Sequence, residues 1–292
     1  MPGGILWLAS YPKSGNTWLR AFLANYLANS AEPLSPNEIT HYSSSDTLVQ
    51  PYEELAGKPA ASLSEDEVRT LRPETQMRLA TRSTKTVPVK THNLLGHEGG
   101  VPLILPQATA GAIYILRNPL DVAVSFAYHT DGDLDTGVRA LTDRQTVMEG
   151  EPERGLLPSF VGSWTLHVRS WTETPGLNPH VMRYEDMLTR PREAFAALIR
   201  FLGMPEEPER LQRAIEFSSF DTLKQGEARE GFLEAASGRE FFRSGSTGGW
   251  REALSEAQAG RIISVNAATM RKFGYLDEQG NVIDRPGGTV PE

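Results

Sequence analysis

The chain has 292 residues, of which 39% are hydrophobic and 23% charged, and it carries a formal net charge of −8. That length suits one large domain or two small ones, and the acidic balance argues against a general nucleic-acid binder while leaving room for a local basic pocket. No cysteine is present, which excludes disulfides, thiolate metal sites and a cysteine nucleophile.

The N-terminus, MPGGILWLASYPK, has no basic leader, and its apolar run covers only Ile5 to Ala9. No stretch approaches the ~20 apolar residues of a membrane span, so a soluble, cytoplasmic protein without a membrane partner is expected. Ile5 to Ala9 reads as a buried strand. Leu19, Phe22, Leu23, Tyr26 and Leu27 then recur at helical spacing, which predicts a helix from Thr17 to about Asn29. The polar stretch from Ala31 to Lys85 is expected to hold loops and short helices, with Ser62 to Arg72 the best helical segment. Val87 to Lys90 and Ala112 to Arg117 read as strands. After the second, Pro119 is well placed for the first turn of a helix that ends near His129. Asp131 to Pro158 is acidic and aperiodic and reads as a mobile loop or lid. Phe160 to Glu173 is helical, His180 to Tyr184 a strand, and Arg192 to Gly203 a helix. Further helices are expected at Arg210 to Phe217 and Glu256 to Phe273, with an irregular glycine-containing stretch, Arg229 to Trp250, between them. Short apolar strands alternating with helices predict an α/β fold with a mostly parallel central sheet flanked by helices. With no repeat and no linker, residues 1–292 are expected to form a single domain, a core to residue 276 followed by a frayed tail at 277–292.

In such sheets ligands bind outside the carboxyl ends of the strands. The segment SYPKSGNTW lies there, between the first strand and the first helix. A helix N-terminus offers free N–H groups and a positive dipole end, Gly15 allows close backbone approach, and Lys13 adds charge. Ser14, Asn16 and Thr17 add short donors. Phosphate binding competes here with an ordinary strand, turn and helix. The ATP-loop pattern G-x-x-x-x-G-K-[ST] is not met, because Lys13 precedes Gly15 and the first glycine is missing. No aspartate closes an apolar strand to hold magnesium.

Tyr11 to Trp18 resembles the 5′-phosphosulfate loop, Y-P-K-S-G-T-T-W, of the cytosolic-type sulfotransferases, with Asn16 as the one change. Further segments match in the family's order. Val89 to His92 resembles the segment bearing the catalytic histidine, and Arg117 to Ser125 the 3′-phosphate site. Arg183 to Met187 resembles the strand end whose tyrosine meets the adenine, and Phe241 to Glu252 the late glycine-rich element. The resemblance runs from about Ile5 to Tyr275. It implies the P-loop nucleotide-kinase-like sulfotransferase fold. It also implies transfer of a sulfuryl group from PAPS (3′-phosphoadenosine 5′-phosphosulfate) to an acceptor hydroxyl or amine, with PAP (3′,5′-adenosine diphosphate) as product and no metal.

Carried over residue by residue, the resemblance implies that Lys13 stabilises the leaving group and that Ser14 holds Lys13 until the acceptor arrives. The backbone of Ser14, Gly15, Asn16 and Thr17, with the Asn16 and Thr17 side chains, would hold the 5′-phosphate. His92 would be the general base, with His129 as runner-up, and Lys90 would reach the sulfuryl oxygens. Arg117 and Ser125 would bind the 3′-phosphate, closed over by Arg243, Ser244 and Gly245. Trp18, Tyr184, Phe220 and Ser218 would meet the adenine. Two departures stand out: Ser244 replaces the family's usual lysine and Gly249 its aspartate, so Arg117 and Arg243 must carry more of the 3′-phosphate charge. A P-loop nucleotide kinase and a catalytically silent nucleotide-binding module are the rivals. The acceptor would be gripped by Ser30 to Lys85 and Thr130 to Phe160. Their scarcity of aromatics favours a small hydroxylated molecule over a planar phenol.

Overall fold

In the first strand, β1 (Ile5–Ser10), Ile5, Trp7 and Ala9 join one buried apolar cluster and Leu8 another. A strand buried on both faces must lie inside a sheet covered by helices on each side. The structure, a computed structural model, describes residues 3–151, 154–235, 240–285 and 287. After β1 a tight loop enters α1 (Asn16–Ala28). Short elements follow, β2 (Ser44–Ser45) and α2 (Gln50–Ala56), then α3 (Glu65–Thr81) and β3 (Val87–Thr91). A small hairpin, β4 (His97–Glu98) with β5 (Val101–Pro102), precedes β6 (Thr109–Leu116), α4 (Pro119–His129) and α5 (Leu134–Thr142). A second hairpin, β7 (Val147–Met148) with β8 (Ser159–Phe160), leads to α6 (Trp164–Thr172) and β9 (His180–Arg183). The helices α7 (Tyr184–Thr189), α8 (Pro191–Phe201), α9 (Pro208–Phe217) and α10 (Phe220–Glu230) come next. Then come α11 (Trp250–Ala253) and α12 (Glu256–Lys272).

The main sheet has the order β2-β3-β1-β6-β9, and every pairing in it is parallel. The expected α/β architecture is therefore present. The chain passes from β1 to β3 on one side, then crosses back over β1 to β6 and β9 on the other. A crevice opens at such a reversal, at the carboxyl ends of the strands. On one face α3, α4, α5, α6 and α12 cover Trp7 and Tyr114. On the other, α1, α8 and α9 cover Leu8, Ile113 and Ile115.

Several sequence expectations change. The helix expected to stop at Arg72 runs on through Pro73 to Thr81. Beyond the proline, Gln76 donates to Leu103 C=O (2.7 Å) and accepts from Leu105 N–H (2.7 Å), and Leu79 and Ala80 enter the core. That packing outweighs the one backbone bond a proline forfeits. The stretch Asp131 to Pro158 is no simple lid, because α5 lies inside it, capped by Asp133 and with Val138 and Leu141 in the core. Its glycine hid the helical period, and that glycine has a packing reason. A Cβ on Gly137 would lie 2.2 Å from the carbonyl oxygen of Ala123 in α4. The helix α10 is not foreseen, and its last turn takes in Arg229 and Glu230, where the irregular stretch is expected to begin. The expected fraying after Leu276 does not describe residues 277–285: Leu276 bridges to Val282, and Asp284 accepts from Trp250 Nε1 (2.8 Å) and Arg251 Nε (2.8 Å). Residues 286 and 288–292 lie outside the described residues.

Gly137→Ala should destabilise the protein, because two backbones meet where the methyl would go. Overpacking of this kind costs about 1–3 kcal/mol, read as a fall of a few degrees in the thermal midpoint. A midpoint equal to wild type would show that α4 and α5 can separate freely.

Candidate active site

The loop after β1 takes a backbone path that few residues allow. Lys13 has φ +68° and Gly15 φ +104°, both in the left-handed region. A Cβ on Gly15 would lie 2.8 Å from Cδ2 of Tyr184, so glycine is needed for conformation and for space. Leu19 N–H bonds back to Gly15 C=O (3.1 Å). The N–H groups of the preceding turn lack an earlier helical carbonyl and open at the helix's positive end. They face a cavity of about 1150 Å³ at the carboxyl ends of the strands, lined by Lys13, Gly15, Asn16, Thr17 and Trp18. That volume suits a nucleotide and a second small molecule together.

Lys90 and His92 reach the same cavity from the end of β3. The His92 ring is fixed from behind. Its Nδ1 lies 2.9 Å from the carbonyl oxygen of Ser10, which can only accept, so Nδ1 carries the proton and the Nε2 lone pair is the free one. Burial, with the nearby Lys90 charge, holds the His92 pKa well below 6.5. Behind it His167 Nε2 donates to His92 C=O (3.1 Å), and Tyr114 OH donates to His167 Nδ1 (2.8 Å). Trp171 Nε1 donates to Asn93 C=O (3.0 Å). Core side chains from β6 and α6 thus set the backbone that aims His92. His129, the alternative base, also lines the cavity.

Arg117, at the end of β6, donates to Lys13 C=O (2.9 Å) and to Ser246 C=O (3.1 Å), tying the first loop to the late glycine-rich one. Its guanidinium lies 4.2 Å from the centre of the Tyr184 ring. Ser125, Tyr184, Phe220, Arg243, Ser244, Gly245 and Gly249 line the same cavity. Trp18 meets Tyr184 edge to face at 5.5 Å. Lys13 Nζ sits 4.5 Å from the Phe241 ring centre. Burial and the charges of Lys90 and Arg117 push its pKa down to about 8.

Three expected contacts are placed differently. Ser14 Oγ is wholly buried and has no hydrogen-bond partner among the described residues, so this structure contains no bond from it to Lys13. The Asn16 side-chain amide donates to Leu8 C=O (2.8 Å) and Ser10 Oγ (3.3 Å), stitching the loop to β1. With both side-chain N–H groups used and Oδ1 only an acceptor, its backbone N–H is the donor that remains for a phosphate. Ser218 is buried at the end of α9, donates to Ala214 C=O (2.8 Å) and does not line the cavity. The helix ends there with a hydroxyl bonding back onto its own carbonyl, a local habit of serine.

Other residues of the site were not singled out from sequence. Arg20, buried on α1, pairs with Glu234 Oε1 (2.7 Å), and Glu234 Oε2 pairs with Lys90 (3.0 Å). Asp46 accepts from Thr91 Oγ1 (2.6 Å) and Asn93 Nδ2 (2.9 Å), the residues on either side of His92. Asp121 accepts from Gly248 N–H (2.9 Å) and Trp250 N–H (3.2 Å) and so shapes the late loop. Glu185 accepts from Asn118 N–H (3.0 Å) and Tyr275 OH (2.7 Å). Of these, Asp121 and Glu185 sit inside the quoted motifs, where their neighbours drew attention. Glu234 and Asp46 carry no local pattern.

The chain matches the sulfotransferase domain over residues 5–274. It belongs to that family. Sulfotransferase 2A6 of Rattus norvegicus is 30% identical over 174 residues, 57% of this chain and 59% of the rat protein, so that alignment spans little more than half of the relative. Cytosolic sulfotransferase 5 of Arabidopsis thaliana is 28% identical over 91% of this chain and 80% of its own length. Among solved structures, mouse sulfotransferase SULT7A1 complexed with PAP has a TM-score of 0.57 at 21% identity, covering 92% of this chain and 84% of that one. A retinol dehydratase in complex with androsterone and inactive cofactor PAP has a TM-score of 0.59 at 20% identity, covering 91% and 80%. These likenesses confirm the sulfotransferase fold. Among the described residues no helix is long and apolar enough to cross a membrane, and no group of three or more histidines and carboxylates is placed to hold a metal.

The histidines of this family member offer a direct check. Burial holds the His167 pKa down to about 3 and that of His92 well below 6.5. Both rings should stay neutral between pH 6 and 8, with ring-proton NMR shifts flat across that range. A midpoint near ~6.5 for His92 would mean that its ring is not buried against Ser10.

Proposed function

We propose that the protein is a PAPS-dependent sulfotransferase that sulfates a hydroxyl of a small acceptor by in-line displacement. One observation carries the reading: an imidazole, held by Ser10 C=O with its Nε2 lone pair free, lines one cavity with Lys13, Lys90 and the loop at the start of α1. The residues present fit the nucleotide. Gly15 leaves a cradle that a Cβ would fill, the N–H groups at the start of α1 suit a 5′-phosphate, and Arg117, Arg243 and Ser125 suit a 3′-phosphate. The ring faces of Trp18, Tyr184 and Phe220 suit an adenine. When bound, PAPS supplies the sulfuryl group.

His92 Nε2 accepts the acceptor's proton as the hydroxyl attacks, and a neutral ring is what that step needs. With the nucleotide bound, the Lys13 ammonium would stabilise the charge that grows on the leaving phosphate, more in the transition state than in the ground state. Lys90 offers further donors to the sulfuryl oxygens. The acceptor side is lined by Thr40, Ser43, Ser45, Leu48, Met148 and Leu156. These come from the two stretches expected to grip it and include no aromatic among the described lining residues. A small hydroxylated molecule suits such a wall. We place the reaction in the cytoplasm, with residues 1–292 acting as one domain.

Calorimetry with PAP against ATP plus magnesium separates this reading from a nucleotide kinase, and turnover with labelled PAPS separates it from a silent binding module. Lys13→Ala should still bind PAP and lose ~10²–10³ in kcat. His92→Asn should lose ~10²–10⁴ in kcat with PAP affinity kept, and His129→Asn far less. A dead His129→Asn beside an active His92→Asn would reassign the base.

The pH profile of kcat/KM follows from the two shifted groups of the free protein. His92 must be neutral and its pKa is lowered, so the acid limb should fall only well below pH 6.5. Lys13 must be charged, so activity should decline above about pH 8. Lys13→Ala should lack that alkaline limb; a limb that survives the substitution belongs to another group.

A further inference from the structure

Lys90 has a long flexible stem, and a free lysine side chain loses rotamer entropy when fixed. Something must hold its ammonium at the cavity wall. The structure provides a carboxylate from outside every matched motif. Glu234, in the loop after α10, lies 3.0 Å from Lys90 Nζ through Oε2 and 2.7 Å from Arg20 Nη1 through Oε1. Arg20 is only 3% exposed and is itself anchored, with Nε donating to Ser43 Oγ at 2.9 Å. The backbone just before Glu234 is pinned as well. Leu233 N–H donates to Asn37 Oδ1 (2.9 Å), and Arg154 Nη2 donates to Leu233 C=O (2.6 Å). The chain of contacts runs Ser43, Arg20, Glu234, Lys90, and all four side chains line the cavity.

We propose that Glu234 is a positioning residue of the transfer site: its carboxylate, fixed by Arg20, clamps the Lys90 ammonium so that the remaining Lys90 protons face the sulfuryl position. The proposal rests on the sulfuryl-transfer reading above for its catalytic consequence, and on geometry alone for the clamp. An ammonium has three donors. With one directed at Glu234, the others are left for oxygens in the cavity.

The same carboxylate has an electrostatic effect on Lys13. The charged groups facing Lys13 are Lys90 from β3, Arg117 from the end of β6, Arg243 from the late loop and Glu234 from the loop after α10. The three cations disfavour the Lys13 ammonium and Glu234 favours it. Burial opposes ionisation of Glu234 itself, yet Lys90 and Arg20 more than offset it and hold its carboxyl down to about 2. Glu234 is therefore a permanent negative charge over the whole working range. That charge acts on Lys13 through space, and the Lys90 contact is tested separately by the Lys90 signals.

The test compares wild type with Glu234→Gln, which keeps the shape and removes the charge, and with Glu234→Asp, which keeps the charge. In the nucleotide-free protein with 13C-labelled lysine, the two Lys90 Hε protons should be inequivalent in wild type and averaged in Glu234→Gln. The Lys13 midpoint should fall by roughly one unit in Glu234→Gln and stay near the wild-type value in Glu234→Asp. With PAPS and an acceptor, kcat of Glu234→Gln should fall about ten- to a hundredfold while PAP affinity stays within about threefold. Glu234→Asp should recover part of the loss. In a Lys90→Met background, Glu234→Gln should cost nothing further, because paired residues are not additive. Unchanged lysine spectra overturn the clamp, as does a kcat that is unchanged or raised. Full additivity with Lys90→Met overturns it too. A wild type that transfers no sulfate would instead refute the functional reading, and the lysine spectra would still decide the clamp.

Discussion

Like charges repel, and this fold gathers Lys13, Lys90, Arg117 and Arg243 around one cavity. How those cations are held without being neutralised governs the rest of the site. Aromatic faces do much of the holding. Lys13 lies over Phe241, Arg117 over Tyr184 and Arg243 over Tyr128, with the cation 4.5, 4.2 and 4.8 Å from the ring centre. A ring face attracts a cation through its quadrupole but contributes no net charge, so the positive potential survives for an anionic ligand. Backbone carbonyls act similarly at Arg117, where the acceptors are Lys13 C=O and Ser246 C=O. Glu234 is the exception, a full negative charge between Lys90 and Arg20.

The strand ends must stay in register for those cations to converge, and carboxylates buried behind the cavity maintain it. Glu185 joins the start of α4 to Tyr275 through Asn118 N–H and the tyrosine hydroxyl. Glu185 is fully buried, and that burial pushes its pKa up to about 7. Arg183 binds Asp186 at 2.7 Å and reaches Phe273 C=O at 3.3 Å, linking β9 to the end of α12. Asp121 holds the turn that carries Ser246 and Gly248 toward Arg117. Motif residues beside Tyr184 and Arg117 thus serve as scaffold, while Tyr184 and Arg117 line the cavity.

His92 shows the same division. The proposed base faces the cavity, and its tautomer is set by Ser10, its backbone by His167 and Trp171, and its flanks by Asp46. A buried polar chain in which each donor meets an acceptor is rigid because breaking any link exposes an unpaired group to a low-dielectric interior. Rigidity of that kind keeps an imidazole lone pair on one line.

The sequence alone determined the parallel α/β architecture, the family and the loop from Tyr11 to Trp18, because those follow from local patterns. Apolar runs with sharp boundaries mark buried strands, and a glycine behind a lysine between a strand and a helix marks the tight turn that enters α1. Most of the site residues that the family resemblance names line the cavity, with Ser14 and Ser218 outside its lining. Tertiary structure decided what local pattern cannot encode. Nothing near Ser218 shows that its hydroxyl bonds back to Ala214 rather than facing a ligand. Nothing near Gly137 shows that a carbonyl of α4 needs its missing side chain. Helix α3 continues past Pro73 because of partners more than twenty residues away, Leu103 and Leu105. Glu234 reaches Lys90 across 144 positions of chain. Such contacts depend on where the sheet places distant strand ends, and a charge carries no record in its own neighbourhood of the opposite charge it will meet.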